Sequence, residues 1–308
     1  MVSRRLVLLF IPLLVDVVLA LTPPVTFGPL LGQAVEGYGA FLRQVAANPA
    51  SGITADQARE MEGQIQDVRE RAGGLNLLDL VAWRVPSLLK ALDISSGEQP
   101  SAQITTWESF SLAGLGLAAG GLFLAVLYLG ALAQYVRHGG FRLGGYLAGL
   151  GRQWRRLLAY TLVLLAGVLV LGVPALVVAG LLGRIAPPLG ALAITAVGAV
   201  VLWAAVYLYF VDGAIFLHDA GALQAMRLSA GLVRMHFWSA LGLILLTFVI
   251  SLGLGIIWAR VVPSSFPWVL LAMVGNAYIA TGLVAAGFIY YRDRWAQAAP
   301  APATSGRS

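Results

Sequence analysis

Uncharged apolar runs alternate with short arginine-bearing connections along most of this chain. Five runs contain no Asp, Glu, Lys or Arg: Ser109–Val136, Leu157–Gly183, Ile185–Val211, Phe237–Ala259 and Val261–Tyr291. Each exceeds the ~20 residues that carry a helix across ~30 Å of hydrocarbon. Backbone in lipid must satisfy its own hydrogen bonds, so helices are the expected form. A sixth run, Leu6–Leu21, is shorter and is interrupted by Asp16. The pattern predicts an all-α, polytopic membrane helix bundle of six transmembrane helices with a small extracytoplasmic helical cap.

The connections set the expected organisation: a first transmembrane helix over 1–23, an extracytoplasmic helical insertion over 24–107, a five-helix membrane domain over 108–295 and a disordered cytoplasmic tail over 296–308. Leu182–Leu189 and Ala259–Trp268, with their prolines, read as tight hairpins. Within the insertion, Leu31, Val35, Tyr38, Leu42 and Val45 recur at helical spacing up to Asn48-Pro49. Thr54 and Gln57 form a capping box for a second helix. Asn76 is placed to cap a third helix through Leu92, bent at Pro86, which either lies on the outer membrane surface or packs on the other two. Arg4-Arg5, a short apolar core and Val18-Leu19-Ala20 also fit a cleaved secretory signal. Asp16 and the lack of Ala-x-Ala argue against cleavage.

Charge then orients the bundle. The net charge of +6 comes from 19 arginines and one lysine, Lys90, set against 14 acids. Arg4 and Arg5 precede the first span, and Arg137, Arg142, Arg152, Arg155 and Arg156 follow the second. Arg227 and Arg234 precede the fifth, and Arg292 and Arg294 follow the sixth. With six spans all four groups fall on one side, which predicts both termini in the cytoplasm. Trp107, Trp154, Trp238, Trp258, Trp268 and Trp295 flank spans, where indole favours the interface, whereas Trp83 and Trp203 do not.

Composition narrows the class. Apolar residues make up 59% of the chain and charged residues only 11%, against roughly 25% charged for a soluble domain. Basicity confined to span ends does not point to nucleic acid. The absence of cysteine excludes disulfides, thiolate catalysis and Cys-type metal sites.

A weak internal repeat runs through the second part. Aligning Trp154 with Trp238 sets 141–156 over 225–240, each an amphipathic lead-in to a span, and Gly183–Pro187 then matches Ala259–Pro263. Within it, Asp219-Ala220-Gly221-Ala222-Leu223-Gln224-Ala225-Met226-Arg227-Leu228-Ser229 and Leu232-Val233-Arg234-Met235-His236-Phe237-Trp238 resemble the membrane domain fused to some bacterial glycerophosphodiester phosphodiesterases. They are also similar to stand-alone membrane proteins of the YciC-like family. Tyr290-Tyr291-Arg292-Asp293-Arg294 resembles that family's ending, and Met226 replaces its leucine. The resemblance covers roughly 109–295. It implies a fold more than an activity, since the insertion over 24–107 departs from it and no hydrolase barrel accompanies the spans.

Few residues carry candidate chemistry. Asp16 lies 11 positions after Arg5, ~16 Å along a helix axis. An intramembrane carboxyl is expected to be a proton or cation site, or to hydrogen-bond another span, for instance at Asn276 or Thr281. Asn276, Tyr278 and Thr281 form a polar patch in the last span, either as glue between helices or as a pathway. Arg142, Arg152, Arg155, Arg156, Arg227 and Arg234 are candidate lipid-headgroup contacts. His138, His218 and His236 lack the spacing of a metal or acid–base site. No cofactor, metal or catalytic residue is expected, and the expected partners are membrane lipids and another membrane protein. The function classes are a non-enzymatic accessory or scaffold protein of the bacterial cytoplasmic membrane, a transporter or channel using Asp16 and the polar patch, and a membrane-embedded lipid-modifying enzyme.

Overall fold

The computed structural model describes residues 3–47, 59, 63, 66, 75–88, 102–141, 143–261 and 266–298. The chain opens with α1 (Ser3–Leu21), a two-residue strand β1 (Val25–Thr26) and α2 (Gly28–Ala46). A four-residue 3₁₀ turn (Leu77–Leu80) and β2 (Ala102–Gln103) precede α3 (Trp107–His138). Then come α4 (Leu143–Gly167), α5 (Val173–Ile185), α6 (Pro187–Leu208), α7 (Val211–Leu217), α8 (Ala222–Met235), α9 (Phe237–Val261) and α10 (Phe266–Ala298).

Local chemistry explains the boundaries. Thr106 caps α3 through the Ser109 N–H, with Glu108 in the first turn. At its other end Gly139 takes the left-handed conformation, φ 65°, and donates to the Tyr135 carbonyl. Between α4 and α5 the helix widens into a π turn over Val168–Gly172, immediately before Pro174. Proline cannot supply the missing N–H, and a widened turn accommodates its ring without ending the helix. Pro187 and Pro188 start α6, and at this hairpin the two helices nearly touch. A Cβ on Gly190 would stand 2.4 Å from the Gly183 Cα.

Five helical segments are long and apolar enough to cross a membrane: Trp107–His138, Leu143–Gly183, Pro187–Leu217, Phe237–Arg260 and Pro267–Gln297. The chain is therefore an all-α membrane protein. The α5–α6 hairpin and α9 present mostly exposed side chains, such as Leu171, Val200 and Val249. Lipid is the solvent that such faces require. The buried core runs instead through α3, α7, α10 and the inner face of α1. Helix α1 has only a short apolar stretch, Leu8–Leu21, yet it buries Leu8, Val15 and Leu19 in that core.

The sequence expectation for residues 76–92 needs correction. Asn76 does cap, through the Leu78 N–H, but what it caps is the short 3₁₀ turn. Residues 81–85 are turns and bends, residues 86–87 have no regular structure, and only Leu88 is α-helical among the described residues that follow the 3₁₀ turn in this segment. Leu77, Leu78, Ala82, Val85 and Leu88 belong to the bundle core, so within the described residues this segment is not a surface helix. The apolar positions that a surface helix would turn towards lipid pack on α3 instead. The Thr54 capping box, the cap beyond α2 and the tail from 299 lie outside the described residues. Helix α2 matches the first predicted helix of the insertion.

The inserted segment is anchored at its start. Val25 and Thr26 pair in parallel with Ala102 and Gln103, and the Val25 N–H donates to the Asn76 side-chain oxygen at 2.9 Å. Along α3, Gly121 makes room for it. A Cβ there would lie 2.2 Å from the Leu80 carbonyl oxygen and 2.9 Å from the Val81 Cα. Both obstacles are backbone. Gly121→Ala is thus expected to lower stability by about 1–3 kcal/mol. Gly120→Ala, whose Cβ meets nothing within 4 Å, should change it far less. Thermal unfolding of the two purified variants in one detergent checks the contrast.

Candidate functional site

Two charged residues of opposite sign hold residues 75–88 inside the bundle. Asp16 is fully buried on α1. Its Oδ1 accepts from the Ser87 hydroxyl at 2.6 Å and from the Leu88 N–H at 2.9 Å. The Leu88 N–H is a buried backbone donor that needs a partner, and the Asp16 carboxyl supplies it. Arg84 reaches a different partner. Its guanidinium lies 2.6 Å from the Asp212 carboxylate, with the two side chains 16% and 29% exposed. The same guanidinium sits 5.1 Å from the Tyr160 ring centre on α4, within cation–π range.

The Asp212 position follows from a break in the third long segment, Pro187–Leu217. At Tyr209–Phe210 the helix ends, and α7 restarts with Val211, Gly213, Ala214, Ile215, Phe216 and Leu217 all buried. Ser229 of α8 repairs the break: its hydroxyl donates to the Tyr207 carbonyl at 2.6 Å and accepts from the Phe210 N–H at 3.2 Å. Beside the break is a cavity of about 180 Å³ lined by Tyr209, Phe210, Asp212, Gly213, Val284, Gly287 and Phe288. Its wall is largely apolar, with the Asp212 carboxylate as its one charged group.

The end of α3, the middle of α4 and the segment after α7 meet in a second polar layer. Arg156 donates to Asp219 at 3.0 Å, and Arg137 stands 3.8 Å from the same carboxylate. Arg137 also donates to the carbonyls of Phe216 and Leu217. Asp219 holds a positive φ of 52°, a conformation that Asp adopts more readily than most residues. His218 Nδ1 lies 3.1 Å from the Tyr291 hydroxyl. Burial, and then the Arg137 charge, push the His218 pKa below the ordinary imidazole value, which favours the neutral ring near pH 7.

The predicted site residues are dispersed. Thr281 accepts from the Tyr128 hydroxyl at 3.1 Å, while Asp16 bonds Ser87 and Leu88. Asn276 and Thr281 are buried, but Tyr278 is 66% exposed, so the three do not form one patch. Among the six arginines, Arg156 is engaged with Asp219. Arg152, Arg155, Arg227 and Arg234 are exposed, and Arg142 lies outside the described residues. Among the described residues no group of three or more His, Asp or Glu is arranged to hold a metal ion.

Sequence reasoning singled out Asp16 but passed over Arg84, Asp212 and Tyr160. A signal was present in the arginine flanked by Leu77–Trp83 and Val85–Leu89, a stretch nearly as apolar as a span. A buried cation in such a stretch needs an anion, and Asp212 follows directly on a long apolar run. Removing one partner should leave the other a buried, uncompensated charge. Arg84→Met is expected to cost about 3 kcal/mol. Arg84→Met combined with Asp212→Leu should recover most of that loss, as a double-mutant cycle on thermal unfolding would record.

Comparisons with known proteins complete the description. No curated protein and no solved structure matches this chain. A family model does match, over residues 77–293. The matched stretch begins at the 3₁₀ turn of the inserted segment, so it contains Arg84 and Asp212 but not Asp16. Since it covers most of the sequence, the chain belongs to the family described as a domain of unknown function, DUF7847.

Proposed function

We propose that this is a non-enzymatic accessory or scaffold protein of a bacterial cytoplasmic membrane. In this reading α1 is a sixth span, both termini are cytoplasmic, and residues 24–107 enter and leave from the outer side with a small helical cap. The observation that carries it is the engagement of Asp16 with Ser87 and the Leu88 N–H and of Arg84 with Asp212. Charges neutralised against the protein's own backbone and side chains fasten one element to another. A conducting or catalytic site would keep such groups facing a path or a substrate. Binding of a protein partner then falls to the outward faces and to the insertion.

A transporter is the second reading, and two features favour it. The irregular segment 81–87 and the break at Tyr209–Phe210 meet at the Arg84–Asp212 pair, and a cavity adjoins the break. Broken helices with charged residues build substrate sites in many membrane carriers. Reconstituted liposomes separate the two. The accessory reading expects imposed proton and potassium gradients to persist in the presence of the protein, and a membrane protein to co-purify with it. Collapse of either gradient by the wild type but not by folded Asp16→Asn or Asp212→Asn protein would replace it with transport.

The threading has its own test. A protease site inserted after Ala50 is expected to be cut only from the outer side of intact cells. Cleavage confined to inverted vesicles would reverse the orientation of every span.

A further inference from the structure

The exposed arginines of α4 do not behave as a uniform belt. Arg137 and Arg156 share the Asp219 carboxylate, and Arg292 pairs with its neighbour Asp293 at 2.8 Å. Arg152 and Arg155 are exposed and have no acidic partner among the described residues. They stand one turn apart on one face of the helix, where like charges repel. Ala148 and Gly151 occupy the same face, and with Trp154 these residues line a shallow open depression. The small side chains leave space between the two guanidinium groups. Two cations that flank one hollow, with no acidic partner among the described residues, are the complement of a phosphate anion.

Placement selects the source of that phosphate. The uncharged run that enters the bilayer begins at Leu157, two residues beyond Arg155. The hollow is therefore at headgroup level, with the exposed leucines of α4, such as Leu162 and Leu165, continuing into the acyl region. We propose that Arg152 and Arg155 form a binding site for the phosphate of an anionic phospholipid, whose acyl chains lie along α4. Arg227 and Arg234 are exposed as well, but they stand two turns apart on α8. This site goes beyond the accessory role and stands whether or not a protein partner exists.

The test is native mass spectrometry of the full-length protein released from micelles containing phosphatidylglycerol or phosphatidylcholine. The wild type is expected to retain phosphatidylglycerol in preference to phosphatidylcholine. An arginine near a membrane surface contributes ~1 kcal/mol to anionic-lipid attraction. Arg152→Gln/Arg155→Gln should therefore bind phosphatidylglycerol roughly 10- to 30-fold more weakly. Arg227→Gln/Arg234→Gln should leave it unchanged. Because both α4 arginines are exposed, the lipid-free unfolding temperature of the double variant should match the wild type. Equal retention of the two lipids, or undiminished retention by the Arg152/Arg155 variant, overturns the site. Protection of the wild type by inorganic phosphate equal to that by phosphatidylglycerol would overturn its lipid assignment.

Discussion

Backbone that is neither helix nor sheet cannot stand in hydrocarbon unless other groups satisfy it. Residues 81–87 are such backbone, and they lie within the bundle core. Their position rests on three donor–acceptor contacts made by side chains. Asn76 ties the entry to β1, Arg84 ties the middle to Asp212, and Asp16 receives Ser87 and Leu88 at the end. Each contact also relieves a group that would be costly alone. An isolated buried carboxylate or guanidinium costs several kcal/mol, and a partner at hydrogen-bond distance offsets much of that. The irregular segment and the intramembrane charges therefore stabilise each other, and neither is readily placed without the other.

The helices around the segment are shaped by the same need. α3 uses Gly121 to let the Leu80 carbonyl approach its backbone. The third long segment breaks at Phe210, and the break sets Asp212 opposite Arg84. A broken helix frees backbone groups of its own, which Ser229 takes up from α8. That role explains a polar residue that is wholly buried on an otherwise amphipathic helix. Polar contacts thus concentrate at the centre of the bundle, and apolar side chains face outward. This distribution is the inverse of a soluble domain and the expected one where lipid is the solvent.

Much of this architecture was legible in the residues, because hydrocarbon imposes a length and a composition on any helix that crosses it. The five long segments and the Pro187–Pro188 hairpin follow from that rule and from the helix-starting habit of proline. The segment after Asn76 did not. Its half-polar circumference matches an interfacial helix as well as it matches a buried turn. What separates the two is a partner far along the chain, since 128 positions divide Arg84 from Asp212 and no local pattern encodes that pairing. Asp16 was legible as a buried group, but its partners were not, because Ser87 and the Leu88 N–H look ordinary in sequence. The internal repeat was legible only in outline. Its first lead-in is continuous with the span in α4, whereas the second is a separate helix, α8, ending at His236 with φ −128° and ψ 40°. Arginine placement orients the bundle without revealing which arginines are engaged. Arg156 with Asp219, and Arg152 without an acidic partner among the described residues, contribute identically to that signal.

These contacts bear on how a transport pathway would have to work. The residues next to the charged groups are apolar and closed: Val15 beside Asp16, Leu122, Ala125 and Val126 along α3, and Val211 beside Asp212 are all buried. An ion or polar solute passing through this core would need residues 81–87 to withdraw, because they occupy the space beside Gly121 and reach Asp212. Withdrawal would separate Arg84 from Asp212 and Ser87 from Asp16 together, leaving several buried polar groups unpaired in one step. A carrier can meet that cost only if its substrate replaces both partners, supplying an anion to Arg84 and a cation to Asp212. The geometry therefore restricts any transported species to one with both charges, and a simple cation path through Asp16 is the version it disfavours most.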